Sequence, residues 1–229
     1  MNTKHKKPTL TKKQRHRLRV QQVRRQKIFL ACLFLLIVGY ILLRFPKFSG
    51  RQEEVHQINA ACEAYRDEVS SEAAQYDMSD YVDLILAVMM QESSGQGTDP
   101  MQSSEGAYNA RYPQQPNGIT DPSYSISCGI QELKYALDKA GCTGPTDLSK
   151  IRLALQAYNF GADSYFAYLE ENGQTVWTAQ SAQAFAQMAS GGTQRDEDDP
   201  LHDPAGPWDY GDQYYPDHVL RYYHLDNNS

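Results

Sequence analysis

Cysteine is scarce in this chain, with four residues in 229, and no two are spaced Cys-x-x-Cys. That excludes a zinc ribbon and a disulfide-dense scaffold. His202, His218 and His224 are too scattered to propose as metal ligands, so the expectation is no metal and no cofactor. No alternating apolar and polar run of useful length is present, which argues against a sheet and for a mainly α protein. Acidic residues are absent from positions 1–51, which hold 14 of the 22 Lys and Arg. The remainder is short of cations, with eight against 28 Asp and Glu, so the net charge of −6 hides a basic tail joined to a strongly acidic domain. Such a domain is a poor nucleic-acid binder, because duplexes are held by Lys and Arg on phosphates.

Long apolar runs are also missing, with one exception. Residues 28–43 carry no charge. As a helix they extend about 24 Å, a little short of a hydrocarbon core of ~30 Å. Phe45 extends the run and Arg44 can snorkel, so the expected membrane anchor is 28–45. The basic tail 1–27 before it predicts a cytoplasmic N-terminus, with the domain outside the cell membrane in a single-pass arrangement. A cleaved signal peptide is the competing reading. The run exceeds a usual h-region, and Arg44, Pro46 and Lys47 stand where small cleavage-site residues belong, which favours the anchor. The tail next to a membrane segment reads more simply as a topology and anionic-lipid signal than as a nucleic-acid arm. Of the cysteines beyond the anchor, Cys62, Cys128 and Cys142, at most one pair can form. Cys128 with Cys142 would close a short loop and suits an oxidising exterior.

Residues 46–54 read as a stalk, and 55–229 as one helical domain with long irregular loops. Val55, Ile58, Cys62, Tyr65 and Val69 recur at helical spacing. Ser79 or Asp80 is expected to cap the next helix. That helix contains the unbroken apolar run from Leu84 to Met90, too short to span a bilayer and apolar on all sides, hence buried in the domain. It ends in Gln91-Glu92-Ser93-Ser94-Gly95. A carboxylate at the end of a buried helix is partly desolvated, which raises its pKa towards what a general acid needs near neutral pH. The bland alternative is an ordinary solvated helix-end carboxylate. Residues 95–124 are turn-rich and almost without apolar periodicity, and loops this long inside a domain are often functional. A helix is expected over Ser127–Leu137 with Gly129 near its start. A helical region follows over Asp147–Leu169, and another over Thr178–Met188. An acidic surface loop spans Gly191–Gly211, and a short aromatic helix ends the chain.

Three motifs occur in a particular order: Gln91 to Gly95, then Cys128-Gly129-Ile130-Gln131, then Ala157-Tyr158-Asn159-Phe160-Gly161. The chain resembles the lysozyme-like fold of soluble lytic transglycosylases and goose-type lysozymes, and more closely the CwlT-like lysozyme domain of Gram-positive bacteria and their conjugative elements. The closer likeness also rests on Asp99 to Glu105 and on Gly211 to Tyr223, and it covers about residues 55–224. Ser94 stands where glycine is usual, a change expected to matter little, and the Gly129–Gln131 segment is one residue shorter than in the transglycosylases. The resemblance implies a muramidase that cuts peptidoglycan glycan strands between N-acetylmuramic acid and N-acetylglucosamine, with Glu92 as the acid. A neutral carboxyl can protonate the glycosidic oxygen as the bond breaks. Asp99 and Glu105 are the candidate second carboxylates, because they follow Glu92 in the loop. Ser93, Gln102, Ser103, Gln131, Tyr158 and Asn159 are the candidate sugar-binding residues, since amide, hydroxyl and phenol groups suit N-acetyl and hydroxyl partners.

Several alternatives stay open at this point. Transglycosylation, in which the muramoyl 6-hydroxyl attacks to give a 1,6-anhydro product, needs only one acid. A non-catalytic glycan-binding adaptor would share the scaffold. A peptidase lacks a suitable Cys–His or metal spacing. Without the resemblance, Gln131, Tyr158 and Asn159 read as structural, Asp99 and Glu105 as solvated loop carboxylates, and the tail tyrosines as packing. The resemblance further implies a partner in a conjugation or secretion apparatus.

Overall fold

The computed structural model describes residues 56–224. The basic tail, the apolar segment 28–45 and the stalk lie outside the described residues, so the expected anchor and topology stay expectations. Among the described residues no helix is long and apolar enough to cross a membrane. The described chain is helical and has no strand, only an isolated bridge between Gln194 and Trp208. Nine helices can be followed in order: α1 (Ala60–Glu63), α2 (Arg66–Gln75), α3 (Val82–Glu92), α4 (Pro122–Ala140), α5 (Leu148–Phe160), α6 (Ala162–Glu171), α7 (Ala179–Ala189), α8 (His202–Ala205) and α9 (Tyr215–Leu220).

Helix α3 is the centre. Leu84, Ile85, Leu86, Ala87, Val88 and Met89 are all fully buried, so every side of the helix is covered. Helix α2 packs on α3 and α4, α9 packs on α3 and α5, and α4 and α5 pack on each other. Burying each large aliphatic side chain contributes about 1.5–3 kcal/mol, so this one helix anchors a large share of the apolar core.

Helix ends differ from the sequence expectations in physically instructive ways. The first periodic stretch is broken between Glu63 and Arg66 into two helices, and Asn59 caps the first by accepting from the Cys62 amide at 2.8 Å. Ser79 and Asp80 do not cap α3. They form a single 3₁₀ turn with Tyr81, and no side-chain cap bond is made. Helix α4 begins at Pro122, five residues before the expected start, because Asp121 caps it through the Ser123 and Tyr124 amides and Pro122 fixes the first turn. Gly129 is therefore mid-helix. A Cβ there would lie 2.6 Å from the Met101 Cβ, so the glycine admits the loop that follows α3. The helical region expected over Asp147–Leu169 is made of two helices, separated at Gly161, whose φ of 86° is open to glycine. The acidic segment after Gly191 contains the short α8.

Past Glu92 the backbone turns sharply, with Ser94 at φ 55° and Gly95 at φ 73°. A side chain in this left-handed region costs about 1 kcal/mol that glycine avoids, and Asn59 Nδ2 holds the strained Ser94 carbonyl at 3.0 Å. Cys62, Cys128 and Cys142 are all free, so the suggested Cys128–Cys142 bridge is not formed.

Candidate active site around Glu92

Glu92 is the last residue of α3 and is half-buried. Tyr215 of α9, only 2 % exposed, donates its phenol hydrogen to Glu92 Oε1. Burial pushes the Glu92 carboxyl from 4.5 up to about 7. The Tyr215 hydrogen bond opposes the shift, while the negative charges of Asp212, Asp99 and Glu132 add to it. The balance leaves an acid that is largely protonated just below neutral pH. Burial and the neighbouring Glu92 hold the Tyr215 phenol well above its ordinary value, so Tyr215 acts as a donor and not as an anion.

Tyr158 of α5 stacks on Tyr215 with ring centroids 6.3 Å apart and planes 22° from parallel. Its hydroxyl donates to the Met101 carbonyl at 3.0 Å. Tyr158 thus joins α5 to the loop after α3. Asn159 beside it accepts the Asp212 amide at 2.8 Å, and the fully buried Gln156 donates to the Asp212 carbonyl at 2.8 Å. Between them, these two α5 residues place the segment that carries Asp212 and Tyr215. The Asp212 carboxylate meets His218 Nδ1 at 2.5 Å and accepts the Tyr214 amide at 2.9 Å.

The loop beside Glu92 is organised by Asp99, which is 1 % exposed. Its Oδ1 accepts from the Ser103 amide at 3.0 Å and the Ser125 hydroxyl at 2.6 Å. Its Oδ2 accepts from the Ser104 amide at 3.2 Å and from the Ser104 hydroxyl. Four donors on one buried carboxylate make it the hub of a turn. They leave it poorly placed to meet a substrate atom, although its charge acts on Glu92. Glu105 is exposed, and the charges acting on Glu92 come from other residues.

Among the proposed sugar ligands, Ser93 turns inward, donating to the Pro100 carbonyl at 2.8 Å and accepting the Gly95 amide at 3.0 Å. Ser103 is buried and donates to the Ser125 carbonyl at 3.1 Å. Both hold the loop. Gln102 is exposed at φ 49°, and its amide bonds to the Asp99 carbonyl at 2.9 Å and to Asn117 at 3.0 Å. Gln131 turns back to the Ser127 carbonyl on its own helix at 3.1 Å, on the side where Ser127 meets Tyr76, just past the end of α2. The structure therefore gathers Glu92, Asp99, Tyr158 and Asn159 into one network with Gln102 at its edge on the Asp99 carbonyl, while Gln131 turns back on its own helix and Glu105 is exposed.

Sequence reasoning missed three members of the network. Tyr215 and Asp212 lie in the terminal segment whose tyrosines were expected only to pack. Glu132 sits next to Gln131 but on a different side of α4. Among the described residues no group of three His, Cys, Asp or Glu is arranged to hold a metal. A surface recess of about 480 Å³ is lined by Lys139, Lys150 and Asp163, none of which is a partner of Glu92.

A helical domain built on a buried central helix that ends in a desolvated glutamate, held by a tyrosine from the last helix that a second tyrosine stacks on, fits the lysozyme-like class. The chain belongs to the lysozyme-like family, whose model matches residues 60–223. It is 36 % identical over 173 residues to the bifunctional muramidase/DL-endopeptidase CwlT of Bacillus subtilis, a match covering 76 % of this chain and 43 % of that protein. It is 40 % identical over 111 residues to the uncharacterized membrane protein YocA of B. subtilis, covering 48 % of this chain and 45 % of the relative. A Staphylococcus aureus crystal structure, described as similar to lipoprotein of the NLP/P60 family, superposes with a TM-score of 0.61 at 28 % identity, covering 76 % of this chain and 56 % of the other. The chain spans about half the length of the curated relatives it matches.

Proposed function

We propose that the domain cleaves peptidoglycan glycan strands between N-acetylmuramic acid and N-acetylglucosamine, with Glu92 as the general acid. The observation that carries this is the Glu92 carboxyl, held near pKa 7 by burial and oriented by Tyr215 at the head of a polar loop. Just below neutral pH it is mostly protonated. It can then give its proton to the glycosidic oxygen as an oxocarbenium-like transition state develops. As the proton leaves, the Tyr215 hydroxyl stabilises the new carboxylate without itself ionising. The name of the B. subtilis relative pairs a muramidase with an endopeptidase, and it is the muramidase chemistry that suits a lysozyme-like domain.

Cys62 and Cys128 are poor candidates for an endopeptidase nucleophile. A nucleophilic thiol needs a lowered pKa, whereas burial pushes Cys62 up to about 11 and also raises Cys128.

Hydrolysis is the primary reading. Transglycosylation is the second, favoured by one observation: both Asp99 oxygens are occupied by serine and amide donors, so a free second carboxylate is not supplied from that position. In that reaction the muramoyl 6-hydroxyl replaces water. Mass spectrometry of products from purified peptidoglycan separates the two, since hydrolysis leaves reducing muramic acid and transglycosylation leaves 1,6-anhydro sugar.

We also propose that residues 28–45 tether the enzyme to the cell membrane with the domain on the wall side. A tether limits cutting to the wall nearby, which suits local opening for a conjugation or secretion apparatus. Protease protection of the N-terminal tail in intact cells, with the domain cleavable from outside, tests this topology.

A further inference from the structure

We propose that Glu132 is a positioning residue for the reaction assigned to Glu92: its carboxyl seats the Gly106–Tyr108 segment of the loop on α4. This rests on the proposed glycan-cleaving role of Glu92 and adds a second, unassigned carboxyl to it.

The contact is close. A Cβ on Gly106 would fall 1.5 Å from Glu132 Oε1 and 2.3 Å from its Cδ, so the carboxyl lies directly against the Gly106 Cα. The Ala107 and Tyr108 backbone amides act on the same carboxyl from the loop and pull its pKa down, against the larger upward effect of burial. Oε1 is buried and has no hydrogen-bond partner. An ionised oxygen in that place would lack both water and a donor, a costly state that a neutral carboxyl avoids.

The surrounding charges point the same way. Asp99 on the loop raises the Glu132 pKa, and no cation is among the groups acting on it. Glu92 on α3, Tyr108 on the loop, Cys128 on α4 and Tyr158 on α5 all feel the Glu132 charge, and each is pushed up by it. Burial is the largest cause and brings Glu132 from 4.5 to about 7. The same loop carries Asp99 and Met101, which reach Ser125 and Tyr158, so its seating sets the wall beside Glu92. As pH rises through 7, ionisation of Glu132 should lift the 106–108 segment while the rest of the fold persists.

The test is amide hydrogen exchange of the full chain, corrected for intrinsic rates, at pH 6 and pH 8, in wild type and Glu132→Gln. The expected result is that protection at residues 106–108 falls about tenfold between the two pH values in wild type and stays level in the glutamine variant. Steady-state kinetics on glycan strands should show KM rising about threefold over the same span in wild type only. Equal pH dependence in the two proteins overturns the proposal. If Glu132→Gln does not fold, wild type alone decides, because protection that is unchanged from pH 6 to pH 8 also overturns it. Exchange does not read activity, so the same comparison made in a Glu92→Gln background separates failure of this proposal from failure of the glycosidase reading.

Discussion

Tyr215 and Glu92 are 123 residues apart in the chain, yet the phenol of one donates to the carboxyl of the other. The bond closes the domain, joining the end of the central helix to the last helix. It also sets the acid, because a donor to the carboxylate favours the charged form and offsets part of the shift that burial causes.

Removing that donor tests the balance. Tyr215→Phe should raise the Glu92 pKa further, moving the alkaline limb of the pH–activity profile up by about half to one pH unit. At the optimum, kcat should fall about tenfold because the acid loses its orientation. The measurement is a pH profile of glycan-strand cleavage, and an alkaline limb that moves down contradicts the account.

Asp99 offers a different kind of test. Asp99→Ala strips the acceptor from Ser103, Ser104 and Ser125, leaving buried donors unpaired. Thermal or denaturant unfolding should show a loss of about 2–4 kcal/mol. Activity should fall in parallel as the loop beside Glu92 loses its shape. An Asp99→Ala protein as stable as wild type contradicts the turn-hub role.

How far the sequence disclosed this arrangement varies from residue to residue. The run Leu84 to Met90 showed a buried helix, and its end showed a half-desolvated Glu92, because hydrophobic pattern and helix length are local properties. The start of α4 was missed by five residues because its signal is the Asp121–Pro122 cap, which lay inside a stretch rich in turn residues. The role of Tyr215 was hidden for another reason. A buried tyrosine packs whether or not its hydroxyl finds a partner, and only the crossing of α9 over α3 decides which. Asp99 was singled out for its position after Glu92, whereas its chemistry depends on Ser125, 26 residues further on.

The acid–base account also fixes the sign of stability against pH. Glu92 and Glu132 are both raised from 4.5 to about 7 in the folded state. Between those values the folded chain binds protons that the unfolded chain has released, so stability falls as pH rises through this window. The slope is about 1.4 kcal/mol per pH unit for each proton, less for the half-exposed Glu92. Tm should therefore drop between pH 5 and pH 7.5, and the Glu92→Gln, Glu132→Gln double variant should flatten the curve. A wild-type Tm that climbs across this range contradicts both shifts.

The central claim is that Glu92 cuts glycan. The most direct measurement is product analysis by mass spectrometry after incubating the full chain, wild type and Glu92→Gln, with purified peptidoglycan. The account predicts that wild type releases disaccharide-bearing muropeptides and that Glu92→Gln releases them at least about a hundredfold more slowly. Equal release by both proteins, or release of free peptides with the glycan strands intact, would contradict it.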